Sequence, residues 1–293
     1  MEKFLSKRIN QMVLSPTLAM AAKTRELKAQ GKDIIGLSLG EPDFNIPEII
    51  KQAAIEAINQ NYSKYSPIDG FLELREAICE KFKRDNQLIY KPSQIVVSTG
   101  AKQSLANAAL VMLNEGDEVI LPAPYWVSYS EIIKIAQGIP VEVPTTIENN
   151  FKITPEQLEK AITPRTKMIW FNSPSNPSGA VYTKQELENL AVVLRKYPNI
   201  FIVSDEIYEY INFTETYTSI AQIDGLYDRT ITINGVSKAF AMTGWRIGYL
   251  AAPEWIAKAC NKVQGQMTSG TNAIAQRAAI TALKASKSEI QYM

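Results

Sequence analysis

From Gln94 onward, short apolar runs alternate with helix-patterned stretches, and this alternation constrains the fold more than any other feature of the chain. Seven runs read as strands: Ile95 to Ser98, Glu118 to Leu121, Ile139 to Val143, Lys167 to Phe171, Ile200 to Ser204, Thr230 to Asn234 and Arg246 to Ala251. Helical patterns separate most of them, as at Gln103 to Leu113, Trp126 to Ala136, Pro155 to Ala161 and Lys184 to Lys196. Continuously apolar strands with helical crossovers imply a mainly parallel sheet covered on both faces, a three-layer αβα arrangement. Ligands of such sheets gather beyond the carboxyl ends of the strands, so residues with useful chemistry should lie there.

The residues before this region read as an arm, a helix around Thr17 to Gln30 and a short strand at Ile34 to Leu39. Gly40-Glu-Pro-Asp-Phe44 then breaks the pattern as a loop. A helix over Pro47 to Asn59 turns Ile50, Ala54, Ile55 and Ile58 to one face, and another beyond Gly70 carries Leu72, Leu74, Ile78 and Phe82. Bulk composition narrows the function by exclusion. Lysine and arginine number 31 against 30 acidic residues, which gives no electrostatic case for nucleic acid or an anionic membrane. No apolar run approaches a membrane span, Met1 to Pro16 lacks a signal-peptide core, and a cytoplasmic location is expected. Cys79 and Cys260 lie in helix-like segments with no metal-binding spacing. Histidine is absent, which removes Ser-His-Asp and Cys-His catalysis and most zinc chemistry; proton transfer falls to Lys, Tyr, Asp, Glu or a cofactor.

The strand ends carry a distinctive set of groups. Lys238 follows the strand Thr230 to Asn234 within Asn234-Gly-Val-Ser-Lys-Ala-Phe-Ala-Met-Thr-Gly-Trp-Arg-Ile-Gly-Tyr249, and Arg246 comes eight positions later. An amine there can form a Schiff base with a carbonyl, and a guanidinium can hold a phosphate. Those are the two attachments that pyridoxal phosphate requires; a surface Ser-Lys turn with a structural arginine is the plainer reading. Ser98-Thr-Gly-Ala-Lys-Gln-Ser104 opens a helix whose first N–H groups either bind phosphate or are simply capped. In Val203-Ser-Asp-Glu-Ile-Tyr208, Asp205 either pairs with a protonated pyridine nitrogen, with Tyr208 donating to a phenolic oxygen, or caps a helix. Asn172-Ser-Pro-Ser-Asn-Pro-Ser-Gly179 is a stiff turn able to fix Asn176, and Pro124-Tyr-Trp126 offers a stacking face or a core tryptophan.

Together these motifs resemble the class I aminotransferases among the fold-type-I pyridoxal-phosphate enzymes, close to the bacterial aspartate aminotransferases, from about Ser15 to the end. The resemblance implies that Lys238 carries the cofactor and shuttles the proton, that Asp205 holds the pyridine nitrogen, and that Tyr208 and Asn176 contact the phenolic oxygen. It further implies phosphate binding by Gly100, Ala101, Lys102, Ser237 and Arg246, and a ring covered by Trp126. Tyr65, in Lys64-Tyr-Ser-Pro67, is similar to the tyrosine that reaches a neighbouring subunit's phosphate, which implies a homodimer with a shared site. Gly40, Trp126 and Asn176 match positions that meet the substrate's carboxylate, and Lys102 matches a lysine used for the side-chain carboxylate of aspartate. The substrates implied are an amino acid, aspartate above all, and a 2-oxo acid such as 2-oxoglutarate, with prephenate as another acceptor.

By the same resemblance residues 1–44 are an arm and a portion of a small domain, and 45–293 the large cofactor-binding domain. Family chains continue past the helix Thr271 to Ala285 into the rest of the small domain, which supplies an arginine for the α-carboxylate; no residue here matches it. The expectation is therefore a C-terminally truncated chain with its small domain largely missing. A cofactor-binding chain without efficient turnover, and a C–S lyase or decarboxylase, stay open beside the transaminase.

Overall fold

The computed structural model describes residues 4–13, 16–37, 40–214 and 216–285. Its centre is a seven-stranded sheet in the order β1-β7-β6-β5-β4-β2-β3. The strands are β1 (Ile95–Thr99), β2 (Glu118–Ala123), β3 (Ile139–Pro144), β4 (Thr166–Asn172), β5 (Phe201–Asp205), β6 (Thr230–Gly235) and β7 (Ile247–Ala251). Neighbours are parallel except at β7, which runs antiparallel to both β1 and β6.

Period-2 alternation sends the strands' apolar side chains to the two faces of the sheet. Val96, Val119, Leu121, Met168, Trp170, Val203, Ile231, Ile233 and Leu250 enter one core, with α5 (Ala101–Met112), α6 (Ser128–Ile135) and α9 (Glu254–Met267). Ile120, Ile169, Phe171 and Ile202 face the opposite side, under α7 (Pro155–Ala161) and α8 (Lys184–Lys196). Ile95, Val97, Ile247 and Tyr249 also face that side, under α3 (Glu48–Asn59), α4 (Leu72–Asn86) and α10 (Ala273–Lys284). The result is the three-layer αβα architecture expected from the alternation. Two helices precede it, α1 (Lys7–Gln11) and α2 (Pro16–Ala29), and α1 touches α6, whose Glu131 accepts from the Val13 N–H at 3.0 Å.

Three boundaries differ from the sequence reading. Residues 34–37 form no strand, and Ile35 and Leu37 are 84% and 89% exposed; Ser38 and Leu39 lie outside the described residues. A strand needs a ladder partner, and none of the described residues supplies one. The helix expected from Trp126 begins at Ser128, leaving Trp126 on the loop before it. Arg246 is not the first residue of β7 but sits at φ 57°, ψ 50°, a left-handed conformation that ends the preceding turn.

The reversal of β7 positions the site. Because β7 runs against its neighbours, its first residues lie at the carboxyl ends of β1 and β6, with Thr99 opposite Ile247 and Gly235 opposite Gly248. Arg246 thereby meets the β1–α5 turn and the loop after β6 at one end of the sheet.

Candidate functional site

The β1–α5 turn is built for close approach. Gly100 caps α5 at φ +80°, and a Cβ on it would overlap the Arg246 guanidinium. A Cβ on Gly248 would fall on the backbone nitrogen of Ala101. The two glycines therefore bring the arginine, the turn and the first N–H groups of α5 within contact distance. Gln103 steadies the turn by accepting from the Thr99 N–H at 2.6 Å. Arg246 donates through Nη1 to the Thr243 carbonyl at 2.8 Å, which aims the guanidinium, and among the described residues it forms no ion pair.

Two lysines share this corner. Lys102, at the start of α5, holds Nζ 4.7 Å from the centre of the Trp126 ring. Burial lowers its pKa, and the charge of Arg246 lowers it further. Lys238 lies in the turn after β6, half-buried, with Nζ donating to the Gly40 carbonyl and standing 5.9 Å from the centre of the Tyr208 ring. Burial depresses its pKa too; Glu41 opposes that, and Arg246 adds to it. Glu41 is held by the Thr243 hydroxyl at 2.9 Å. Ser237, buried beside Lys238, accepts through its carbonyl from the Met242 N–H at 3.1 Å. Lys102, Lys238 and Arg246 thus form a cationic corner, in which burial first and the charge of Arg246 second loosen both lysines' protons.

A second set of groups faces them from β4, β5 and α6. Asp205 shares the α5/α6/α9 side of the sheet with Val203, two residues before it. Its carboxyl is buried, with Oδ2 accepting from Tyr129 Oη at 2.7 Å and Oδ1 from the Ile207 N–H at 3.2 Å. Burial pushes its pKa up to about 6 despite those two donors, which favour the charged form. Residues 206–214 form no helix; 207–210 make a turn, so Asp205 caps no helix and its Oδ1 only receives the Ile207 N–H of that turn. That turn brings Tyr208 round to accept from Asn176 Nδ2 at 3.4 Å. Asn172 fixes Asn176 in turn: its Oδ1 accepts from the Asn176 N–H at 2.7 Å while its Nδ2 donates to the Asp205 carbonyl at 2.8 Å. Trp126 meets Tyr129 edge-on, 5.5 Å between ring centres, and Tyr129 meets Trp170 likewise at 5.5 Å.

The structure therefore brings Gly40, Gly100, Ala101, Lys102, Trp126, Asn176, Asp205, Tyr208, Ser237, Lys238 and Arg246 into one neighbourhood. Tyr65 stands apart on the loop after α3, 99% exposed. Tyr129 and Asn172 were not anticipated as site residues. The spacing Trp126-x-x-Tyr129 places two aromatics one turn apart and was the available signal for the first. For Asn172 it was an amide at the last position of a strand, in the same run as Asn176.

Such a site suits a flat, charged ligand. One end offers clustered cations and helix N–H groups for an anion. The other offers a buried carboxyl whose charged form a cationic ring nitrogen would stabilise. Between them lie a loosely protonated amine, a phenol, an amide and an indole. Among the described residues no cluster of His, Cys, Asp and Glu could hold a metal ion, and no helix is long and apolar enough to cross a membrane.

Comparison with known proteins gives a consistent result. The model of the family "Aminotransferase class I and II" matches residues 32–293. The aspartate/prephenate aminotransferase of Cereibacter sphaeroides is 54% identical over 282 residues, covering 96% of this chain and 70% of that protein. The aspartate aminotransferase of Bacillus subtilis is 50% identical over 291 residues, covering 99% and 74%. Among solved structures, the aspartate aminotransferase of Rhizobium meliloti superposes with a TM-score of 0.95 at 45% identity, over 98% of this chain and 72% of that one. The Thermus thermophilus aspartate aminotransferase with maleate gives 0.95 at 45% identity, over 98% and 75%.

Proposed function

The chain belongs to the class I and II aminotransferases, and on that premise we propose that it transfers the amino group of aspartate to 2-oxoglutarate with pyridoxal phosphate anchored at Lys238. The residues present fit that cofactor. The Arg246 guanidinium lies against Gly100 at the start of α5, so a phosphate bound there would meet it together with the helix's first N–H groups, and a Cβ at Gly100 or Gly248 would collide with the guanidinium or with the Ala101 backbone. When bound, pyridoxal phosphate supplies an electron sink that makes the substrate's α-proton acidic.

The chain's own groups then have separate tasks. Ala101 and Lys102, through backbone N–H groups, with Gly100 giving close approach, would hold the phosphate together with Ser237, and Arg246 would offset its charge. Asp205, ionised by its donors, holds a proton on the pyridine nitrogen. Tyr208 and Asn176 hydrogen-bond the phenolic oxygen, and Trp126 covers the ring and excludes water from one face. Lys238 would hold the cofactor through Nζ, and its free amine would be the group placed to take up and return the substrate's α-proton. Its depressed pKa raises the neutral fraction that can act as nucleophile and base. Gly40, Trp126 and Asn176 orient the α-carboxylate, and Lys102 meets the side-chain carboxylate of aspartate. Tyr65 reaches the phosphate of a second subunit in a cytoplasmic homodimer, which accounts for an aromatic ring standing fully in solvent.

The observation that carries this reading is the polarity of the site: a buried carboxyl at one end and Lys102, Lys238 and Arg246 at the other. The experiment is turnover by the purified protein with pyridoxal phosphate, aspartate and 2-oxoglutarate. Equal amounts of oxaloacetate and glutamate are expected. Keto acid with free ammonia, or carbon dioxide release, would replace transfer by lyase or decarboxylase chemistry, and no conversion with any amino donor would overturn the reading.

A further inference from the structure

The segment that follows Tyr65 is tied to the body of the protein by buried hydrogen bonds. Gln264, on α9, is fully buried and uses the whole hydrogen-bonding capacity of its amide. Its Oε1 accepts from Ser98 Oγ at 2.7 Å and Asn107 Nδ2 at 3.0 Å, while its Nε2 donates to the carbonyls of Ile68 at 2.6 Å and Val97 at 2.8 Å. Gln276, on α10 and also fully buried, accepts from the Phe71 N–H at 2.9 Å and donates to Ser66 Oγ at 3.0 Å and the Thr271 carbonyl at 2.9 Å. The Val97 N–H donates to the Asp69 carbonyl at 3.1 Å. Backbone groups at 68, 69 and 71 and the hydroxyl at 66 are thus all tied down. Gly70, at φ +93°, lets the loop lie so close that a Cβ there would stand 2.7 Å from Val97.

This network reaches Ser66, the residue next to Tyr65, and the Tyr65 ring itself is 99% exposed. Val97 and Ser98 belong to β1, the strand that leads directly into Gly100. The amide of Gln264 therefore fixes the Tyr65 loop to the same strand that carries this chain's own phosphate turn. We propose that Gln264, aided by Gln276, is a positioning residue that aims Tyr65 at the phosphate of the partner subunit. The proposal rests on the shared-site reading above.

The test measures dissociation constants for pyridoxal phosphate and for pyridoxal, which lacks the phosphate, in Gln264→Met, Tyr65→Phe and the double variant. Tyr65→Phe is expected to weaken pyridoxal phosphate about tenfold, the loss of one charge-assisted hydrogen bond, and to leave pyridoxal unchanged. Gln264→Met is expected to show the same split, and the double variant to lose little more than either single one. Ser66→Ala removes only one hydroxyl and should shift pyridoxal phosphate about threefold in the same direction, so the test survives if Gln264→Met fails to fold. The proposal is overturned if Gln264→Met weakens both ligands equally, weakens neither, or multiplies fully with Tyr65→Phe. A Tyr65→Phe variant that binds pyridoxal phosphate normally overturns it differently, by removing the shared site, while Lys238 attachment would stand.

Discussion

Replacing Tyr129 by phenylalanine isolates how this site keeps Asp205 charged. The phenol donates at 2.7 Å to a carboxylate that is otherwise buried, with one backbone N–H as its other donor. A hydrogen bond to a buried charge contributes about 1.5–3 kcal/mol, which corresponds to about 1–2 pH units in the carboxyl's titration. Asp205 already titrates at about 6, because burial outweighs both donors. Without the phenol its protonation should move up through neutrality. The cofactor requires the anion, so its apparent affinity falls about tenfold for each pH unit below the carboxyl's pKa. The assay is the dissociation constant for pyridoxal phosphate from pH 5 to 9 in both proteins, with the cofactor's own ionisations common to each. The Tyr129→Phe variant should bind about two- to tenfold more weakly near pH 7 and approach the parent above pH 9. Two superimposable profiles would refute the reasoning, as would a loss of equal size at every pH.

Other substitutions probe neighbouring parts of the account. Asp205→Asn removes a carboxyl whose folded pKa is raised from 3.8 to about 6, so its stability contribution is present below pH 4 and lost as pH rises through 6. The cofactor-free variant should therefore gain up to about 3 kcal/mol over the parent in urea unfolding at pH 8, with the gain vanishing near pH 4, while its cofactor affinity collapses. Gly248→Ala drives a methyl group into the Ala101 backbone, which cannot swing aside as a side chain would; a cost of about 3 kcal/mol or more and a Tm lower by several degrees are expected in calorimetry. Lys102→Met should raise KM for aspartate at least about tenfold while leaving alanine, which has no side-chain carboxylate, nearly unchanged.

Much of the layout was legible because it depends on local patterning. Most of the strands announce themselves through apolar runs that fill the cores on both faces of the sheet, and their ends carry Gly100, Asp205 and Lys238 in sequence-visible turns. The reversal of β7 was hidden, since β7 is as apolar as the parallel strands of the sheet and direction depends on which strands flank it. Arg246 looked like the start of a strand for the same reason; its left-handed backbone answers to Gly100, far away in sequence. Tyr129 and Asn172 each bond Asp205, 76 and 33 residues distant, and those two pairings no local window displays. The short strand expected at Ile34 to Leu39 has the right side chains, but pairing is a property of two segments, and the pattern described only one.

The central claim is that Lys238 holds pyridoxal phosphate at the cationic corner formed with Lys102 and Arg246. Its most direct test is borohydride reduction of the cofactor-loaded protein followed by peptide mass mapping. One phosphopyridoxyl group per chain is expected, on Lys238, and none after Lys238→Ala. A label on Lys102, spread over surface lysines, or undiminished in the Lys238→Ala variant would contradict the account.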